Sequence, residues 1–135
     1  MKITHVYSDN GMGSESIINP TFDEIKEMVL NLNGKNKTFI TIGSNSGKES
    51  DYFYMTIGGG NNGLYIAFIS YKNNNEIHTL IDKTKSKTKS IEIVVDGEIA
   101  PHPECYCVNQ ETILRAIKTF YNEQKPDETL DWERE

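Results

Sequence analysis

Between residues 38 and 108 the chain carries six short runs of strand character, and the stretches between them are too short to make parallel crossovers. The runs are Thr38–Ile42, Tyr52–Ile57, Leu64–Tyr71, Glu76–Asp82, Ile91–Val95 and Cys105–Val108. A parallel connection takes about a dozen residues or more, usually a helix, so neighbouring runs must pair antiparallel. Leu64 to Ile69 is apolar at nearly every position. That composition suits a central strand covered on both faces. Lys2–Tyr7 alternates like a further strand, and Ser8–Ser16 reads as a polar loop. The expectation is a twisted, mainly antiparallel sheet of about five to seven strands.

Two helices accompany it. Thr21 and Glu24 have capping-box spacing, Pro20 blocks an earlier start, and Phe22, Ile25, Met28, Val29 and Leu32 share a face. A helix over about residues 22–32 follows, with Gly34 as its left-handed cap. The second covers about residues 110–123, opened by Asn109. Ile113, Leu114, Ile117, Phe120 and Tyr121 fall within an arc of roughly 120°, with Glu111, Arg115 and Lys118 opposite. Pro126 ends it. Each helix has one apolar stripe, so both are expected on one face of the sheet, giving a single α+β domain. Leu130 and Trp132 fold back as a clasp. Ile113, Ile117, Phe120, Tyr121 and Trp132 are thus structural.

At 135 residues and 36% hydrophobic, the chain is long enough for one core. No stretch approaches the roughly 20 apolar residues of a membrane span. Met1–Tyr7 lacks a signal peptide's apolar run, and cysteines at 105 and 107 are no disulfide framework, so a reducing cytoplasm is expected. A net charge of −6 disfavours nucleic-acid binding and suits a basic partner. Much of it is terminal: Glu123 to Glu135 holds six acids against Lys125 and Arg134.

Several motifs imitate chemistry. Gly43-Ser44-Asn45-Ser46-Gly47-Lys48-Glu49-Ser50 copies a phosphate-binding loop but has three residues between its glycines and Glu49 after the lysine, so it reads as a hairpin loop. Gly58-Gly59-Gly60-Asn61-Asn62-Gly63 exceeds what a tight turn needs, so its tip is expected to be mobile and open to a partner. His102, Cys105 and Cys107 supply three potential metal ligands, or a Cys–His pair, but a fourth zinc ligand is missing unless His5 or His78 folds in, and nothing orients the base. Buried thiols are the simpler reading. Lys83, Lys85, Lys87 and Lys89 alternate with hydroxyl residues, without aromatics or arginine for reading bases, and fit a solvated loop or edge.

The run Glu111-Thr112-Ile113-Leu114-Arg115-Ala116-Ile117, then Phe120-Tyr121, Pro126-Asp127 and Trp132-Glu133, resembles the C-terminal signature of the bacterial Imm1-type immunity proteins. Asn19-Pro20-Thr21 and the strand Tyr54 to Gly60 fit the same pattern. The resemblance implies a non-enzymatic, cofactor-free antidote that binds and occludes a cognate polymorphic toxin domain one to one, often a nucleic-acid-modifying one. Asp127, Glu128, Asp131 and Glu133 are the first candidates for its contact surface, followed by Gly59, Gly60, Asn61, Asn62 and the central sheet. The alternative is a small regulatory or ligand-binding α+β domain. An enzyme using His102 and Cys105 comes third.

Overall fold

The computed structural model describes residues 3–11, 13–44 and 47–135. The elements run β1 (His5–Asp9), β2 (Ser14–Ile18), α1 (Phe22–Leu30), β3 (Phe39–Ser44), β4 (Phe53–Gly59), β5 (Leu64–Tyr71), β6 (Glu76–Ile81), β7 (Ser90–Val95), β8 (Glu98–Pro103), β9 (Val108–Asn109), α2 (Gln110–Glu123) and β10 (Asp131–Arg134). The main sheet has the order β10-β6-β5-β4-β3-β1-β2, with the short β9 beside the start of β5. β7 and β8 form a separate hairpin. Every pairing is antiparallel.

Strand alternation divides the main sheet into two unlike faces. Val6, Ile42, Met55 and Ile69 stand in register across β1, β3, β4 and β5, and Leu80 of β6 opposes Trp132 of β10. These side chains form one core with Ile25 and Val29 of α1 and Ile113, Ile117 and Phe120 of α2. Both helices therefore sit on this face. The Phe53 and Phe120 rings meet edge-on at 5.7 Å. Tyr121 packs on Phe22 and donates its hydroxyl to the Pro20 carbonyl at 2.7 Å, tying α2 to the entry of α1.

The capping signals hold. Thr21 and Glu24 exchange both bonds of the capping box, and Asn109 accepts from the Thr112 N–H. The helix ends differ from expectation. α1 stops at Leu30, because Asn33 Oδ1 draws in the N–H groups of Lys35, Asn36 and Lys37 and offers the backbone an alternative to the helix. Gly34 is left-handed, at φ +70°, inside that loop rather than as a helix cap. α2 closes on Gln124, itself left-handed, before Pro126 is reached.

Three strands lie where none was expected. Ser14–Ile18 is half of a hairpin with β1, so the loop shrinks to its tip; Lys2 lies outside the described residues. β8 follows the Asp96-Gly97 turn, both residues at positive φ, a strong hairpin signal. The tail adds β10. In contrast, Cys105–Val108 is mostly not a strand: Glu104–Tyr106 makes a single tight helical turn, and pairing begins at Val108.

Candidate interaction surface

The acidic tail is largely engaged in holding itself to the domain. Asp127 accepts from Thr119 Oγ1 at 2.9 Å, Thr129 N at 2.8 Å and Thr129 Oγ1 at 2.6 Å. Burial pushes its carboxyl up, but those bonds and the Arg115 charge together hold it below the ordinary value. The Asp127 carbonyl receives the indole N–H of Trp132 at 2.9 Å. Glu133 accepts from the Tyr106 hydroxyl at 2.8 Å, and that bond, with burial, pushes the phenol up to about 12. Asp131 faces Lys83 at 3.4 Å. Glu128 is the most open of the four, its side chain 84% exposed beside Lys125.

Trp132 and Leu130 pack half-buried against the core, as a clasp would. The clasp is also a strand. At the tail's end Arg134 meets Glu76 at 2.6 Å, and Glu76 also meets His78 at 3.1 Å. Tyr71 lies edge-on to His78 and donates to the Gln124 carbonyl at 2.9 Å. Burial first, then the Glu76 charge, raises its phenol to about 12.

The glycine-rich turn is clamped rather than loose. Gly58 and Gly59 are buried, Gly60 and Asn61 half-buried, and only Asn62 and Gly63 are exposed. Asn61 accepts from Val94 N and donates to the Glu92 carbonyl, fixing the turn to β7. A Cβ on Gly60, at φ +92°, would stand 2.4 Å from the Leu32 carbonyl oxygen. Gly58 to Asn61 form a packed joint between the α1–β3 loop and the β7–β8 hairpin, which periodicity could not reveal because both partners are remote in sequence.

The remaining motifs resolve similarly. β3 takes Gly43 and Ser44, and Glu49–Asp51 is one tight turn leading into β4, so no helix follows that loop; Asn45 and Ser46 lie outside the described residues. Cys105 and Cys107 are buried, Cys107 donating to the Pro103 carbonyl at 3.6 Å. Burial raises the Cys107 thiol, with the Lys85 ammonium opposing. Burial also lowers His102, which stands on β8. Among the described residues no group of three or more His, Cys, Asp or Glu is arranged to hold a metal ion. The lysine run is not an extended edge. Lys85 reaches the Cys107 carbonyl at 2.6 Å, and Ser86 Oγ accepts from Thr88 N and Lys89 N, folding the loop on itself.

The sheet's second face, which sequence reading named only as the central sheet, is the notable surface. One end is occupied by the β7–β8 hairpin: a Cβ on Gly58 would strike Val95, and Gly97 N donates to Thr38 Oγ1 at 2.9 Å. The same hydroxyl donates to Asp9, whose carboxylate also takes the N–H groups of Thr38 and Phe39. Further along, one row reads Tyr7, Thr41, Thr56, Phe68, Thr79, Glu133 across β1, β3, β4, β5, β6 and β10. The next reads Ile18, His5, Gly43, Tyr54, Ser70, Ile77 from β2 to β6. No family model matches the chain, and no curated protein does.

Tyr7 is 39% exposed, Phe68 38% and Ile18 79%. Tyr54 lies across Gly43, where a Cβ would meet the ring at 2.6 Å, and His5 approaches it edge-on at 6.3 Å. Tyr7 and Phe39 stack tilted at 5.6 Å. The aromatics are thus held by a rigid sheet. A depression of 620 Å³ at the margin, lined by Glu49, Ser70, Tyr71, Lys72 and Ile77, is wide open, and its lysine is paired with Glu49 at 3.3 Å. Among the described residues no helix is long and apolar enough to cross a membrane.

Proposed function

We propose that this chain is a non-enzymatic immunity protein of the Imm1 type, acting in the cytoplasm of the producing cell by one-to-one occlusion of a cognate toxin domain. The observation that carries the reading is the helix-free sheet face, where Tyr7 and Phe68 stand exposed on paired strands. Aromatic side chains on a rigid support bind a protein partner at low entropic cost, and Tyr is enriched at interface hot spots. Support comes also from what the ionisable groups do. Asp9, Asp82, Asp127, Glu76 and Glu133 all bond within the protein, some closing local turns and some joining separate elements. The helix and tail bearing the family-like residues belong to the same core.

The test is co-purification with the toxin fragment encoded beside this chain's gene. A stable one-to-one complex that abolishes toxin activity is the expected result. Failure of the pair to associate at micromolar concentration, with both partners folded, refutes the proposal.

A further inference from the structure

β5 has the composition of a strand covered on both faces, yet the helices cover only one, and the β7–β8 hairpin takes only one end of the other. Ala67 and Ile69 lie under the helices at 2% and 0% exposure, whereas Ile66 is half-buried and Phe68 exposed. A strand facing water on one side normally alternates apolar with polar residues. β5 instead keeps its apolar character on the open side. Phe39 and Tyr54 extend that character over β3 and β4, and Tyr7 over β1. Such a face suits a neighbour other than water.

Charge narrows what that neighbour is. None of β1 to β6 contains a Lys or Arg. Glu133, which also takes the Tyr106 hydroxyl, closes the row through Phe68, and Asp131, in an exposed pair with Lys83, follows on the same side of β10. Ring faces are themselves electron-rich and attract cations. A phosphate-bearing ligand finds no counter-charge on these strands, and a second copy would bring a face equally poor in cations. A basic protein surface satisfies both needs, because Lys and Arg lay apolar stems along rings while their charged heads reach acids at the margin.

We infer that the helix-free face centred on Tyr54 and Phe68 is the docking site for a basic surface of the toxin domain. The inference rests on the immunity reading and adds the place and the chemistry of contact. Phe68 packs against the stems of arginine or lysine side chains, and Glu133 and Asp131 receive their heads. Buried aromatic centres with a charged margin are the common anatomy of such interfaces.

The experiment measures binding of the neighbouring toxin fragment to the parent, Phe68→Lys, Phe68→Glu and Leu30→Glu, each shown folded by its melting curve. Leu30 is 43% exposed on α1, away from this face, and serves as the control. Both Phe68 variants lose the ring, so their difference reports the sign of the partner's charge. Phe68→Lys should bind at least about tenfold more weakly than Phe68→Glu at low salt, the gap closing near 1 M salt as screening shortens to about 3 Å. Leu30→Glu should bind like the parent. Equal losses in the two Phe68 variants overturn the basic partner. Loss in Leu30→Glu alone overturns the face while leaving the immunity reading intact. A self-associating parent whose dimer, but not its toxin binding, is abolished by Phe68→Lys assigns the face to a second copy. No association of the parent with the toxin removes both proposals together.

Discussion

Tyr71 and Asp127 show how single residues fasten the tail. Folded Tyr71 titrates near 12 against an ordinary 10.0, so its neutral form is favoured by folding. The stability this supplies is full below pH 10 and drains away as pH rises through 12. Tyr71→Phe should cost about 1 kcal/mol at neutral pH through the lost bond to the Gln124 carbonyl. Its unfolding free energy should then fall less steeply than the parent's above pH 10, as followed by urea titration at stepped pH. Asp127 works in the opposite sense. Its depressed value means stability present above 3.8, the unfolded carboxylate's value, and lost as pH falls below it. Asp127→Asn should be less stable at pH 7 and flatter on the acid limb. Equal acid slopes in parent and variant would show that the bonds from Thr119 and Thr129 do not depend on the charge.

At the scale of elements, two joints decide whether the sheet is complete. The first is β10. Trp132 is half-buried, so Trp132→Ala should cost about 3 kcal/mol, the low end for a large aromatic. For a domain of this size that lowers the melting temperature by roughly 10 °C. A drop of a degree or less would mean β10 is held by its ladder alone. The second joint is the glycine turn. Gly60→Ala should destabilise the fold by more than the roughly 1 kcal/mol ordinary for a left-handed glycine, since its Cβ meets the Leu32 carbonyl as well. Asn62→Ala, at the exposed tip, should have little effect beyond losing a residue tolerant of positive φ (+62°). Comparing the two melts separates the packed part of the turn from its free end.

The whole molecule carries −6, and that field acts on association before any contact forms. Of the four candidate tail acids, Glu128 and Asp131 have the least structural employment, each in one exposed ion pair. If the proposed toxin is the partner, reversing both to lysine should slow its association at low salt and leave dissociation nearly unchanged, because rim charges act on the on-rate. Stopped-flow measurements at two salt concentrations check this. An unchanged on-rate would place the steering charges elsewhere. Reversing Asp127 or Glu133 would be harder to interpret, since each also holds the fold.

Local rules made much of this architecture legible. Capping at Thr21 and Asn109, the apolar stripes of both helices and the short turns between strands each act within a few residues. Antiparallel pairing and helices on one face follow from them. The Asp96-Gly97 hairpin was also written locally, in a turn that only residues tolerant of positive φ make cheaply. Other features depend on partners distant in sequence. The tail became a strand because β6 offered an open edge. The first part of the glycine turn is packed because residues 32–34 and 92–95 close on it. Cys105 and Cys107 left the expected strand because backbone bonds to Ser86 and Glu104 bend the chain there. The sharpest case is β5. Its composition calls for cover on both faces, but two helices with one stripe each cover only one, and tertiary packing alone decided which face stayed open.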